Sequence, residues 1–235
     1  MADRVVACHQ PNFLPWLGYF AKIARSDVFF LLDDVQFTQG ANRHNWTSRV
    51  RIVTANGPMW LSLPVRRSGE GRQLILDLKT DDQSRWLPKM AKTLDESYRN
   101  APHSGECLRP IVEILLRCQG SVCETNIALI HSICQMLGLS TTVIRSSEQP
   151  VEGTATERLV NLTRSVNGTV YLSGDGADDY QLVDEFNSAG IRLKKLGYRA
   201  QPYPHLRGLE FTPGLSIVDA LCNVGIERTK ELLRG

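Results

Sequence analysis

RVVACHQPNFLPWLGYFAKIARSDVFFLLDDVQ, residues 4–36, is the stretch that decides the fold. Arg4 to Cys8 is a short, mainly apolar run that stops at His9-Gln10-Pro11-Asn12, where proline removes a backbone donor and ends a strand. From Trp16 to Ala24 the spacing turns helical, with Trp16, Leu17, Phe20 and Ile23 on one face. After Asp27, the run Val28 to Leu32 is wholly apolar, as a strand buried on both faces is, and it ends at Asp33-Asp34-Val35-Gln36. Strand, helix and strand joined by links this short predict a βαβ unit, its two strands parallel and adjacent.

Downstream the pattern changes twice. Trp46 to Val53 and Met59 to Val65 read as strands around Ala55-Asn56-Gly57-Pro58, and Asn-Gly is a strong hairpin signal. Leu74 to Leu78 is expected to add a third strand to this ribbon. Helical spacing then runs over Gln83–Arg99, Leu108–Cys118 and Cys123–Leu137. Strands are expected at Thr141–Arg145, Thr169–Leu172 and Ile191–Leu196, and helices at Glu157–Val166, Ala177–Phe186, Ile217–Val224 and Glu227–Leu233. The pattern predicts an α/β fold: a mostly parallel sheet with flanking helices, a helical middle segment over 83–138 and a small antiparallel insert over 46–80. No repeat, low-complexity stretch or long Pro/Gly/Ser linker divides the chain, so one domain over 1–235 is expected.

Composition narrows the function classes. Apolar residues make up 42% and charged residues 22%, near globular averages. A formal net charge of +2 gives no argument for a nucleic-acid partner, and the nearest thing to a basic cluster, Arg66-Arg67, reads as a solvated loop. No signal-peptide pattern opens the chain and no apolar run reaches the roughly 20 residues that span a bilayer, so a cytoplasmic protein without a membrane span is expected. The six cysteines, Cys8, Cys107, Cys118, Cys123, Cys134 and Cys222, contain no C-x-x-C pair. They predict free thiols and no zinc site. No cofactor or metal is expected.

Five polar clusters fall at predicted strand ends or in loops, where α/β sheets carry their sites. In Cys8-His9-Gln10-Pro11-Asn12, His9 is a candidate proton shuttle with Gln10 and Asn12 beside it. Adjacent strand residues point to opposite faces, so a Cys8–His9 dyad is disfavoured and Cys8 is expected to face the core. Asp33 and Asp34, followed by Gln36, stand where carboxylates bind a metal, orient a base or hold an amine; one of the pair is also a natural turn cap. Asn42-Arg43-His44-Asn45-Trp46-Thr47-Ser48-Arg49 mixes donors with an aromatic, and Arg49 is its best anion ligand. Tyr171-Leu172-Ser173-Gly174-Asp175-Gly176-Ala177-Asp178-Asp179-Tyr180 reads as strand, glycine turn and helix start; it lacks the spacing of a P-loop or dinucleotide fingerprint. Ser216 with Asp219 fits a variant of the capping box.

Taken together these blocks resemble the WbqC-like family. The likeness rests on His9-Gln10-Pro11-Asn12-Phe13-Leu14-Pro15-Trp16-Leu17-Gly18-Tyr19-Phe20, Ser26-Asp27-Val28-Phe29, Leu32-Asp33-Asp34-Val35-Gln36-Phe37, Trp60-Leu61-Ser62-Leu63-Pro64-Val65, Tyr171-Leu172-Ser173-Gly174, Gly176-Ala177, Tyr180, Leu215-Ser216-Ile217-Val218-Asp219 and Asn223-Val224-Gly225. Two positions depart from the family's usual pattern: Ser48 precedes Arg49 where asparagine is common, and Cys8 replaces an aliphatic residue. The resemblance implies a setting in bacterial surface-polysaccharide or natural-product pathways. The expected activity is acyl or aminoacyl transfer to an amine, with His9, Asp33, Asp34 and Ser173 catalytic. Gln10, Asn12, Gln36, Arg49, Gly174 and Tyr180 are then expected to bind a small-molecule substrate or a carrier-protein-bound donor. The rival expectation is a non-catalytic binding or accessory protein.

Overall fold

The computed structural model describes residues 2–37, 45–66, 73–117, 120–175, 183–206 and 210–235. Its centre is a five-stranded sheet built from β1 (Val5–His9), β2 (Val28–Leu31), β5 (Thr142–Arg145), β6 (Val170–Ser173) and β7 (Arg192–Lys195). The spatial order is β5-β2-β1-β6-β7, and every pairing is parallel. β1 and β2 are neighbours in register from Val6↔Val28 to His9↔Leu31, joined by α1 (Leu17–Ala24). The βαβ unit expected from residues 4–36 is therefore present.

Side-chain alternation sorts the strand residues between two layers. Val6, Cys8, Val28, Phe30 and Tyr171 pack with Leu159, Val160 and Leu162 of α5 (Ala155–Ser165) and Phe186 of α6 (Val183–Ser188). Ala7, Phe29, Leu31 and Leu172 join the larger cluster on the other face. That cluster takes in α1, α2 (Gln83–Tyr98), α3 (Ser104–Arg117), α4 (Val122–Met136) and α7 (Ile217–Leu232). Each of the fully buried side chains Phe20, Phe29 and Phe30 contributes about 1.5–3 kcal/mol by leaving water. Cys8 thus faces the core opposite His9, as alternation requires, and burial pushes its thiol up to about 12. Cys107, Cys123, Cys134 and Cys222 are likewise buried free thiols; Cys118 lies outside the described residues.

The insert is a two-stranded hairpin, β3 (Arg49–Thr54) with β4 (Gly57–Ser62), turned at Ala55-Asn56. The expected third strand at Leu74–Leu78 is instead a 3-10 turn over Ile75–Asp77. The reason is a better partner elsewhere. Ile75 and Leu76 donate their amides to the carbonyls of Val35 and Asp33, and Leu74 bridges Gln36, so the segment seals the chain leaving β2. Of the expected helix at Ala177–Phe186, residues 177–182 lie outside the described residues, and the described part is α6.

The two expected C-terminal helices are both present along α7, separated by a break at Gly225, whose φ of 76° and ψ of 178° suit glycine almost alone. A Cβ there would stand 2.9 Å from the His103 ring. Gly225→Ala is expected to destabilise the protein by about 2 kcal/mol through backbone strain and crowding. Denaturant unfolding measures this, and a change within error of zero would show that the kink relaxes freely. Ser216 caps α7 by accepting from the Val218 amide. The capping box is not reciprocal, because the Ser216 amide binds the Arg51 carbonyl and the Asp219 carboxylate turns to Tyr203.

Candidate functional site

Because all five strands are parallel, His9, the residues after Leu31, Arg145, Ser173 and Lys195 emerge on one edge of the sheet. The connection from β1 leads to β2 on one side, while β6 lies on the other side of β1. This reversal makes the β1–β6 boundary the topological switch point, where open α/β sheets form a crevice for ligands.

His9 ends β1 at that boundary. Its Nδ1 donates to the Gln10 carbonyl at 3.1 Å. A carbonyl only accepts, so Nδ1 carries the proton and Nε2 keeps its lone pair. The ring stands edge-on to Tyr19, with centroids 4.9 Å apart, and to Trp16 at 5.9 Å. Burial in this setting, and then the nearby Lys22 charge, lower the imidazole to about 3, so His9 is neutral at physiological pH. The Tyr19 hydroxyl donates to the Gln10 carbonyl at 3.0 Å and fixes the turn out of β1.

Gln10 is half-buried, and its Oε1 accepts from Thr47 Oγ1 at 3.5 Å. Asn12 is 1% exposed, yet among the described residues neither its Oδ1 nor its Nδ2 has a hydrogen-bond partner. An amide buried this way is costly unless something else satisfies it. Asn126 of α4, itself fully buried, donates from Nδ2 to the carbonyls of Pro11 at 2.8 Å and Thr47 at 2.7 Å, tying the His9–Asn12 loop to the hairpin approach.

Ser173 ends β6 as a buried residue, its hydroxyl donating to the Gly174 carbonyl at 3.1 Å. Between β6 and β1 stands Lys22, a residue the sequence reading passed over. It is 5% exposed and donates to the Cys8 carbonyl at 2.9 Å. A Cβ on Gly174 would be 3.8 Å from its Nζ. Burial lowers the Lys22 ammonium to about 8, against smaller opposing effects of Cys8 and Asp175. The folded state thus resists a proton that the unfolded chain holds up to about 10.4. Stability attributable to Lys22 must therefore rise with pH between about 8 and 10. Lys22→Met is expected to raise stability at pH 7 by roughly 2 kcal/mol. The gap to the wild type should close by pH 10 in paired denaturant titrations; a variant less stable at pH 7 would show that the charge is compensated within the fold.

Asp33 and Asp34 occupy the same edge, but their contacts lead away from His9. Asp33 is 0% exposed and accepts from Arg145 Nε at 2.7 Å, the Ser147 hydroxyl at 2.7 Å and the Ser147 amide at 3.0 Å. Burial alone would raise this carboxyl, but the bonds from Ser147 and Arg145 outweigh it and hold it below the usual carboxylate range. Arg145 Nη1 also pairs with Glu124 at 2.8 Å. Asp34 pairs with Arg158 of α5 and accepts from the Ser146 hydroxyl, which also reaches Asp33. Through these contacts both carboxylates clamp β5 and α5 to the end of β2. Gln36 is exposed beside its bridge to Leu74.

Arg49 lies on β3, its guanidinium 4.5 Å from the Trp60 ring centroid. Trp60 meets Trp46 with ring centroids 5.4 Å apart, and Trp46 meets Trp16 at 5.0 Å, both pairs tilted, so a row of indoles runs from His9 to the hairpin surface. Tyr180 lies outside the described residues, as do Gly176 to Asp179 and Asn42 to His44. Among the described residues no three His, Cys, Asp or Glu side chains gather as a metal site.

The sequence placed His9, Gln10, Asn12, Ser173 and Gly174 at one edge and Trp46 in the hairpin approach, but gave no role to Lys22, Asn126, Arg145 or Arg158. A signal for Lys22 was present, since it is the sole charge in the otherwise apolar helix Leu17–Ala24.

Sheet and edge together define a doubly wound α/β protein with polar side chains gathered at its switch point. The chain belongs to the WbqC-like protein family, which it matches over residues 10–231. It is also 35% identical over 228 residues to Uncharacterized protein Rv1507c of Mycobacterium tuberculosis (strain ATCC 25618 / H37Rv), a match covering 95% of each chain. No solved structure matches it. Among the described residues no helix is long and apolar enough to cross a membrane.

Proposed function

We propose that this protein transfers an acyl or aminoacyl group to an amine, working in the cytoplasm on a small molecule of a surface-polysaccharide or natural-product pathway. One observation carries the reading: His9, its Nδ1 donating to the Gln10 carbonyl so that Nε2 keeps its lone pair, ends the central strand at the switch point. The substrate amine attacks the acyl carbonyl carbon, forming the N–C bond. His9 Nε2 takes the amine proton, and the bond to the donor's leaving group breaks as that group accepts a proton. The Ser173-Gly174 turn and Gln10 flank the reacting centre. The indole row of Trp16, Trp46 and Trp60 offers flat apolar faces of the kind that hold a sugar ring. A carrier-bound thioester is the donor class this reading favours.

A second reading, a non-catalytic binding protein, draws support from the engagement of Asp33 and Asp34 with Arg145 and Arg158 and from the low basicity of His9. Incubating the protein with acyl- and aminoacyl-thioesters on carrier proteins and with amino sugars, read by intact mass, separates the two. A mass gain on the amine that needs the protein supports transfer. Tight binding of either compound without turnover assigns the binding role.

A further inference from the structure

We propose that the sheet edge at the β1–β6 boundary binds a phosphate group, with the Lys22 ammonium as its charge partner. This rests on the reading of that edge as the ligand site and adds the chemical class of what enters it. An ammonium has three N–H donors, and Lys22 spends one on the Cys8 carbonyl. It forms no ion pair with any carboxylate among the described residues. Asp175, whose charge acts on it, has its two oxygens taken by the amides of Gly197 and Tyr198. A buried cation with one acceptor and no counter-ion is costly, and folded proteins keep such groups where an anion completes them.

Three further observations place that anion. Lys22 stands where ligands of open parallel sheets bind, between the ends of strands whose connections diverge. The turn beside it begins with Gly174, which presents no side chain to a group approaching Nζ. Asn12, in the loop leaving the same β1 end, is buried with both amide atoms unpartnered among the described residues. A tetrahedral phosphate offers three oxygens and up to two charges, enough to engage the remaining Lys22 donors. A planar carboxylate offers two oxygens and one charge. Lysine suits phosphate as a compact point charge.

The test is calorimetric titration of the full chain at pH 7 and low salt with pyrophosphate, with 4′-phosphopantetheine and with succinate, in the wild type, Lys22→Arg and Lys22→Met. Saturable binding of pyrophosphate or 4′-phosphopantetheine is expected, weakened roughly tenfold or more in Lys22→Met and largely kept in Lys22→Arg. Preference for the first titrant indicates a nucleotide-type ligand, and for the second a carrier-type arm; both support the site. Succinate binding as well as the phosphates, no saturation by either phosphate in the millimolar range, or equal binding by Lys22→Met overturns it. If Lys22→Met does not fold, peptide mapping after amine acylation of the wild type decides. Protection of Lys22 by pyrophosphate supports the proposal, and unchanged modification overturns it. The titrations contain no acyl donor or amine, so failure of group transfer and failure of phosphate binding are separate results.

Discussion

Asp33→Ala is expected to lower stability by about 3 kcal/mol, because removing one partner of a buried ion pair strands the other. Arg145 would keep only Glu124, and the Ser147 amide and hydroxyl would lose their acceptor. Because Arg145 retains 27% of its side-chain exposure, solvent offsets part of the loss. The wild-type contribution should also depend on pH with a definite sign. The folded carboxyl lies below its unfolded value of about 3.9, so the stabilisation is complete above that pH and disappears as pH falls through the lower folded value. Urea unfolding at pH 7 and at pH 3, in Asp33→Ala, Arg145→Met and the double variant, measures both. Near-additive losses, or a loss under about 1 kcal/mol, would show that the clamp is dispensable.

His9→Ala is expected to reduce turnover by roughly 100-fold while leaving the melting transition in place, since a positioned base contributes at least that much. The ring is only partly buried, and its removal leaves Tyr19 bonded to the Gln10 carbonyl, so the turn out of β1 should persist. The pH profile is the sharper readout. With His9 lowered to about 3, no acid limb should enter the working range, whereas loss of the Lys22 proton near 8 should bring activity down on the basic side. Unchanged turnover in His9→Ala would end the case for a base and leave the binding role.

The fold was legible where a single segment determined its own state. The apolar run from Val28 to Leu32 and the proline after His9 define two parallel strands without knowledge of anything distant. The segment Leu74–Leu78 misled because its partner, the chain after β2, lies elsewhere in sequence, and a local pattern says nothing about which backbone groups are waiting for it. The site divides in the same way. Parallel topology alone brought His9 and Ser173 to one edge. What the Asp33-Asp34 pair does there depended on Arg145 and Arg158, 112 and 124 residues downstream, a pairing no spacing rule contains. Lys22 was missed because a lysine on a short helix is ordinarily a solvated residue; only the packing of α1 on every side removes it from water.

The strand order also governs how this chain can assemble as it is made. β1 leaves the ribosome before the other strands of the sheet and ends at its centre, flanked by β2 and β6. Its pairing with β2 becomes possible within the first 31 residues, but its other ladder, Val5↔Val170, waits for a partner 165 positions later. At the usual 5–20 residues per second this is on the order of ten seconds or more. Throughout that interval the nascent protein carries a half-built sheet whose open edge is the apolar run Val5 to Cys8, the kind of edge that pairs with neighbouring chains. Yield during synthesis should therefore depend on holding factors and slow growth more than on the stability of the finished protein.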